Sequence, residues 1–164
     1  NLVIRCFSDG PELLGTAGSI RAIVGNLPKS FWVTYADSYV VADVSSAEKS
    51  FEFEGKSIMT VLKNEDRVET SNVSLSTNSR FVIAYEKNPI KNRHIWIDYG
   101  LLRFERSSFE EITVSEPADL RSVIEGEIAL VNLCALPTET LFWDIGTPQR
   151  FNETTEEFHR RGWI

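Results

Sequence analysis

The hydrophobic and polar positions of the chain alternate between strand-like and helix-like patterns. Short runs of β-branched and apolar residues bounded by turn residues are typical of strands, whereas apolar residues repeated every three or four positions are typical of helices. The runs that predict strands are 2–7, 31–36, 58–62, 73–75, 81–85, 95–104, 128–134 and 141–143. The predicted helices are 16–27, 43–53, 107–113, 117–125 and a last helix that starts at 148. Pro117 and Pro148 suit first helical positions, and Thr147 suits the N-cap before the last helix.

Strands interleaved with helices predict the α/β class, with a mostly parallel central sheet flanked by helices. A chain of 164 residues has the size of one domain, so we treat residues 1–164 as a single domain. In such sheets, ligands bind in the crevice beyond the carboxyl ends of the strands. Residues that directly follow a predicted strand are therefore the first candidates for function.

The composition narrows the classes of function. The formal net charge is −7, which argues against a broad basic face for nucleic acid, so no nucleic-acid partner is expected. No apolar run reaches the ~18–20 residues that span a bilayer, and no secretory signal is visible, so we expect a cytoplasmic protein without a membrane partner. Cys6 and Cys134 lack CxxC spacing, which favours two buried thiols in a reducing compartment. His94 and His159 are the only histidines, which excludes a histidine-rich metal site.

Two aspartates follow predicted strands and could hold a divalent cation. Asp37 comes directly after the strand 31–36, and Asp144 comes between the strand 141–143 and the last helix. Magnesium takes oxygen ligands and often binds through only one or two carboxylates, with phosphates and water completing its shell. These two residues are therefore candidate magnesium ligands. Position alone favours their being ordinary turn or capping residues.

The residues Gly15, Thr16, Ala17 and Gly18 begin the first predicted helix. Backbone N–H groups at such a start can approach a ligand closely, because glycine has no side chain. The segment is not a P-loop, since Ser19 follows Gly18 where the Walker pattern requires lysine. Close packing between helices explains the two glycines as well as ligand binding does.

Three segments together resemble the sugar-phosphate nucleotidyltransferase family, the NDP-sugar pyrophosphorylases. Residues 14–19 read LGTAGS and are similar to the segment that contacts the nucleobase in that family, which implies nucleotide binding at 15–18. Residues 31–38 read FWVTYADS and resemble the strand whose aspartate is a magnesium ligand, with Ala36 in place of the usual glycine. Residues 142–148 read FWDIGTP and resemble the motif that supplies the second aspartate. The resemblance covers essentially the whole chain and implies a Rossmann-like nucleotidyltransferase fold.

The middle of the chain resembles one branch of this family. Residues 59–61, 71–73, 85–87 and 97–101 are similar to segments of heptose-1-phosphate and mannose-1-phosphate guanylyltransferases. The resemblance implies that Glu86 binds sugar hydroxyls and that Lys87 binds the sugar phosphate as a catalytic residue beside Asp37 and Asp144. It also implies that the sugar pocket is lined by Asn72, Asp98, Tyr99 and Gly100.

The glycine-rich loop typical of the family, GGxGTRLxPLT…PKP, is absent from the sequence. The resemblance places that loop upstream, so we expect an opening βαβ unit of ~30 or more residues to be missing. The chain is then the carboxyl-terminal part of the domain and inactive alone. An incomplete sheet leaves an unpaired edge, through which we expect association, either with further copies or with a separate amino-terminal piece.

The implied reaction joins a sugar 1-phosphate to a nucleoside triphosphate, giving an NDP-sugar and pyrophosphate with the help of Mg²⁺. The alternative is a degenerate nucleotidyltransferase-like module that binds a sugar phosphate or a nucleotide for regulation. The presence of Asp37, Lys87 and Asp144 together favours the enzyme, because a sensor has less need of two metal ligands.

Overall fold

The computed structural model describes residues 3–49, 53–65, 69–113 and 116–164. They form a six-stranded mixed sheet flanked by helices and a separate sheet of two short strands, which confirms the α/β class. The strands are β1 (Ser30–Thr34), β2 (Ser38–Tyr39), β3 (Ser57–Lys63), β4 (Val73–Leu75), β5 (Val82–Tyr85), β6 (Trp96–Glu105), β7 (Leu133–Thr138) and β8 (Trp143–Asp144). The helices are α1 (Gly15–Ile23), α2 (Val44–Lys49), α3 (Leu120–Ala129) and α4 (Pro148–Arg161), with short 3-10 helices at Val24–Asn26 and Arg106–Phe109.

The long strand β6 organises the main sheet. It pairs antiparallel with β3 on one side, and on the other with β1 and, at Trp96, with β4. Strand β7 pairs in parallel with β3, while β5 pairs antiparallel with β4. Strands β1, β3 and β7 therefore share one direction, but among the strands described only β3 and β7 pair in parallel. The central sheet is mixed and not mostly parallel as predicted, because the antiparallel strand β6 lies between β3 and both β1 and β4. The carboxyl end of β1, at Thr34, lies opposite Leu101 in the middle of β6.

The two faces of the sheet carry separate hydrophobic clusters. Leu102 and Phe104 of β6 point toward the main core, which lies between the sheet and the helices α1 and α3. Tyr99 and Leu101 belong to a second cluster on the opposite face, because side chains alternate along a strand. Phe142, which precedes β8, packs on the ring of Tyr99 with 5.5 Å between ring centroids. No helix within the described ranges is long and apolar enough to span a bilayer.

The strand predicted at 2–7 is wrong for residues 3–7, while Leu2 lies outside the described residues. Val3, Ile4 and Phe7 are 74%, 75% and 52% exposed, and no described strand pairs with this segment. A β-branched sequence forms a strand only where a neighbour supplies the ladder hydrogen bonds. For the same reason Cys6 is exposed, contrary to the expectation of two buried thiols, whereas Cys134 is buried in β7.

The strand predicted at 128–134 is also wrong over its first half. Helix α3 runs to Ala129, Val131 adopts a left-handed φ of +53° in the turn, and strand β7 begins only at Leu133. The helix predicted at 117–125 starts later, at Leu120. Asp119 is its N-cap and accepts a hydrogen bond from the Arg121 N–H at 2.9 Å. This side-chain cap fixes the start of the helix after Pro117, which therefore is not its first residue.

Three further predictions change in extent. Of the segment predicted as a strand at 141–143, only Trp143 is in a strand; it belongs to β8, which pairs with β2 and does not join the main sheet. The helix predicted at 107–113 is the 3-10 turn Arg106–Phe109, and the one predicted at 43–53 is α2, with 50–52 outside the described residues. The last helix is confirmed: Thr147 caps α4 by accepting from the Arg150 N–H at 3.2 Å, and Pro148 is its first residue.

Candidate active site

A cavity of about 370 Å³ lies beyond the carboxyl end of β1. It is lined by residues of the four segments 35–38, 69–72, 97–100 and 142–150, together with Tyr85. The antiparallel pairing of β1 with β6 brings the first and third of these segments together. A larger groove of about 590 Å³ lies beside α3 and contains none of the predicted site residues. The cavity at β1 is therefore the candidate site.

The two candidate metal ligands converge in this cavity. Ser38 lies opposite Asp144 in the small sheet, and the Ile145 N–H donates to the Asp37 carbonyl at 2.9 Å. A Cβ atom placed on Gly146 would lie 2.9 Å from Oδ2 of Asp37 and 3.6 Å from Oδ1 of Asp144. The absence of a side chain at Gly146 thus leaves the space onto which both carboxylates face.

The donor set suits a hard divalent cation. The described residues contain no group of three or more histidine, cysteine or carboxylate side chains placed to hold a metal. Zinc in a protein-only site is therefore not supported there, since it needs three or four such ligands. Magnesium is satisfied by one or two carboxylates, with water and substrate phosphates as the other ligands. Asp37 and Asp144 fit that pattern.

Asn72, Asp98 and Gly100, which were predicted to line a sugar pocket, form one hydrogen-bonded unit. Oδ1 of Asn72 accepts from the Asp98 N–H, and Oδ1 of Asp98 accepts from the Gly100 N–H, both at 2.9 Å. Gly100 has a φ of +77°, which favours glycine at this bend in β6. Burial raises the pKa of Asp98 to about 6, although the Gly100 N–H opposes the shift. Asp98 is therefore ionised at neutral pH despite its setting, and its carboxylate is a hydrogen-bond acceptor in the cavity.

Tyr99 has a structural partner as well as a place in the lining. Its hydroxyl group donates to the Val41 carbonyl at 2.9 Å and accepts a hydrogen bond from the Val41 N–H at 3.0 Å. The residue is fully buried. Its main effect on the cavity is to hold the chain between β2 and α2 against β6.

Glu86 and Lys87 do not line the cavity. The Glu86 N–H donates to the Asn72 carbonyl at 3.0 Å, but its carboxylate turns to Arg93 at 2.9 Å and lies 3.4 Å from Nε2 of His94. The ammonium group of Lys87 pairs with Asp119, the N-cap of α3. The role of Glu86 in binding sugar hydroxyls and that of Lys87 in binding the sugar phosphate remain predictions, and both require these ion pairs to open.

The predicted nucleotide-binding segment is packed against the chain before α3. Gly15 has a φ of +73°, and a Cβ there would lie 2.6 Å from the Ala118 carbonyl oxygen. The Ala17 N–H donates to that oxygen at 2.9 Å, and Oγ1 of Thr16 accepts from the Leu120 N–H at 2.8 Å. Gly18 is buried in the same contact. Helix packing accounts for this segment, and none of its residues lines the cavity.

Several lining residues were missed by the sequence analysis. Tyr35 and Tyr85 face the cavity, and burial raises the pKa of Tyr85 to about 12, with the negative charge of Asp98 adding to the shift. Burial also raises the pKa of Tyr35, so both hydroxyl groups stay protonated and can donate. Arg150 and Glu69 also line it. Two of these residues could have been predicted from their neighbours in the sequence. Tyr85 directly precedes the predicted site residue Glu86, and Arg150 lies in the first helical turn after the FWDIGTP motif.

A scan of protein-family models finds no match to this chain, and a search of curated proteins finds no matching sequence. Solved structures do match. HddC from Yersinia pseudotuberculosis has a TM-score of 0.69 at 19% identity, over 90% of this chain and 64% of that one. A putative glucose-1-phosphate thymidylyltransferase from Bacillus anthracis, in complex with a sucrose, has a TM-score of 0.72 at 12% identity, over 88% and 61%.

The inositol-1-phosphate CTP transferase from T. maritima is similar to the same degree, with a TM-score of 0.68 at 16% identity, over 88% of this chain and 60% of that chain. A structure of the Yersinia HddC complexed with GMP-PN gives a TM-score of 0.68 at 18% identity. The chain thus spans about three fifths of the length of these structures. At these identities the likeness shows the fold, and the chain has the fold that these nucleotidyltransferases share.

Proposed function

We propose that this chain carries the metal-binding carboxylates and the sugar pocket of a sugar-1-phosphate nucleotidyltransferase. One observation carries the proposal: in a chain with this fold, Asp37 and Asp144 face a common space beside Gly146 at the edge of a cavity. The reaction gives an NDP-sugar and pyrophosphate. The chain spans about three fifths of the length of its structural neighbours, so the complete activity is part of the proposal.

Asp37 and Asp144 are the residues that hold Mg²⁺ in this proposal. Bound there, the ion supplies positive charge to phosphate oxygens and orients them for reaction. The carboxylates themselves are fixed by the β2–β8 pairing and by the Gly146 N–H, which donates to Oδ1 of Asp144 at 3.1 Å. Little reorganisation of the protein is then needed at the moment of reaction, which is the basis of electrostatic catalysis.

The sugar is recognised by the unit of Asn72, Asp98 and Gly100. The ionised Asp98 accepts hydrogen bonds from sugar hydroxyls, while the hydroxyl groups of Tyr35 and Tyr85 donate to sugar oxygens. Lys87 exchanges its ion pair with Asp119 for the sugar phosphate. This exchange costs little, because the side chains of Lys87 and Asp119 are 55% and 50% exposed and such pairs are weak.

The chemical step is a single displacement. A phosphate oxygen of the sugar 1-phosphate attacks the α-phosphorus of the nucleoside triphosphate, forming one P–O bond as the bond to the β-phosphate bridging oxygen breaks. Pyrophosphate leaves with the electron pair of that bond. The attacking oxygen is already anionic, so no general base is required, and the protein contributes positioning and charge neutralisation.

The test uses the protein produced from its complete coding sequence, with release of pyrophosphate measured over a panel of nucleoside triphosphates and sugar 1-phosphates. Asp37→Asn and Asp144→Asn should each lower kcat at least ~100-fold, the scale of losing a principal electrostatic group. Glu139→Gln is the control, because Glu139 is an exposed carboxylate outside the cavity and its loss should leave the rate unchanged. A near-normal rate in either aspartate variant rejects the proposal.

Calorimetry with the same panel separates the enzyme from a degenerate binding module. Binding of a nucleotide or sugar phosphate without release of pyrophosphate by the full protein indicates the module. The panel also identifies the base and the sugar. Magnesium dependence is measured in parallel by adding a chelator, which should abolish turnover.

A further inference from the structure

Arg150 spans the mouth of the cavity from one wall to the other. It lies in the first turn of α4, and its two terminal nitrogens pair with different carboxylates: one with Oδ2 of Asp144 and one with Glu69. Glu69 belongs to the opposite wall, where its carbonyl accepts from the Asn64 side chain at 2.7 Å. Arg150, Asp144 and Glu69 all line the cavity. The guanidinium group therefore joins α4 to the 69–72 segment through its ion pair with Glu69.

Arg150 also pairs with a carboxylate that the proposed metal ion needs. Oδ1 of Asp144 is used by the Gly146 N–H, and Oδ2 is used by Arg150, so both carboxylate oxygens are already engaged. The Asp144 side chain is only 15% exposed, so Arg150 supplies its counter-charge. A divalent cation that binds Asp144 competes with this guanidinium, which must then find another anion.

We propose that Arg150 is a displaceable counter-ion that binds the phosphate of the incoming ligand once a divalent cation has replaced it on Asp144. A guanidinium group offers paired N–H donors that match a phosphate as well as they match a carboxylate. Metal binding and phosphate binding are thereby coupled through one side chain. This inference deepens the proposed function and rests on it.

The first arm of the test measures metal binding alone, with Mn²⁺ as the probe, by electron paramagnetic resonance on the full protein. Removing the competitor in Arg150→Gln should tighten Mn²⁺ binding about fivefold, the scale of one half-exposed ion pair. Arg160→Gln is the matched control, because Arg160 lies on the same helix and pairs with Glu157 away from the cavity. It should bind Mn²⁺ as the unmodified protein does.

The second arm measures binding of inorganic phosphate by calorimetry in the presence of Mg²⁺. Arg150→Gln should weaken it about tenfold or more, since hydrogen bonds to a charged group are lost. Arg150→Lys should recover part of the affinity, because lysine keeps the charge but not the paired donors. Glu69→Gln should bind phosphate about two- to fivefold more tightly, because it removes a rival anion. A merely structural role for the bridge predicts weaker binding in Glu69→Gln.

The outcomes separate this inference from the proposed function. If Asp144→Asn abolishes Mn²⁺ binding while Arg150→Gln changes neither Mn²⁺ nor phosphate affinity, the inference is wrong and the proposed function stands. If Mn²⁺ binds equally well without Asp144, the proposed metal site is wrong and the inference fails with it. Looser Mn²⁺ binding in Arg150→Gln also overturns the inference, since a competitor cannot strengthen the site.

Discussion

Asp98 is expected to lower the stability of the protein at neutral pH, and Asp98→Asn should therefore stabilise it. The carboxyl group lies on the cavity wall, where burial raises its pKa from 3.8 to about 6. Asparagine has nearly the same shape and keeps an oxygen for the Gly100 N–H, which now donates at 2.9 Å. The substitution thus removes the charge while it preserves the local hydrogen bond.

The magnitude follows from the difference between the native and unfolded pKa values of Asp98. Because the native pKa is the higher, the native state holds its proton more firmly between pH 3.8 and about 6. Stability therefore falls as pH rises through this window, and the cost is complete above the native pKa. At ~1.4 kcal/mol per pKa unit, the full cost is about 3 kcal/mol. We expect Asp98→Asn to gain about 1–3 kcal/mol at pH 7.5 and almost nothing at pH 4, since solvent in the cavity screens part of the charge.

Urea unfolding at pH 4, 5, 6 and 7.5, followed by circular dichroism, measures this difference. The gain of Asp98→Asn over the unmodified protein should grow with pH and level off above about pH 7. Glu139→Gln, which changes an exposed carboxylate, should show no such growth. A gain that is the same at every pH, or a loss at pH 7.5, would refute the reasoning. The same variant should bind the sugar less well, because the charge that costs stability is the predicted acceptor for its hydroxyl groups.

Two glycine substitutions test the packing of α1 and the proposed metal site between Asp37 and Asp144. Gly25→Ala is the control for both, because a Cβ at Gly25 would meet nothing within 4 Å. Gly15→Ala should destabilise the protein by about 2–4 kcal/mol in thermal unfolding, since its Cβ would lie 2.6 Å from the Ala118 carbonyl oxygen and its φ is +73°. An unchanged melting temperature would show that the backbone at Ala118 can move away from the new Cβ at little cost. Gly146→Ala should weaken Mn²⁺ binding about tenfold or more with the fold intact, because its Cβ would lie 2.9 Å from Oδ2 of Asp37 and displace that carboxylate. Normal Mn²⁺ affinity would contradict the placement of the site.

The sequence predicts well those features that depend on neighbouring residues. The last helix is confirmed at its first residue, because Thr147 and Pro148 make a local cap that needs no distant partner. The strands predicted at 73–75 and 81–85 are confirmed as β4 and β5, which pair with each other because they are adjacent in the chain. The α/β class is confirmed because it depends on the alternation of patterns rather than on their pairing.

Features that depend on distant partners were not predictable. The segment 3–7 has the composition of a strand, yet no strand of the described structure pairs with it. The local sequence cannot predict whether a pairing partner is present. Arg150 pairs with both Asp144 and Glu69, and these two carboxylates are far apart from each other in the sequence. The high pKa of Asp98 is likewise a product of burial, which the sequence of one strand cannot show.

The charges around the cavity favour the proposed metal-dependent enzyme over a module that binds a phosphate directly. Four of its lining side chains are acidic, namely Asp37, Glu69, Asp98 and Asp144, and Arg150 is the one basic residue in the described lining. An anionic ligand entering this cavity by itself meets net negative charge in a setting that screens charge less than water does. A divalent cation between Asp37 and Asp144 lowers the net negative charge of this lining and at the same time would release Arg150 to bind an anion. Phosphate and metal are therefore expected to enter this site together, as the proposed transfer reaction requires.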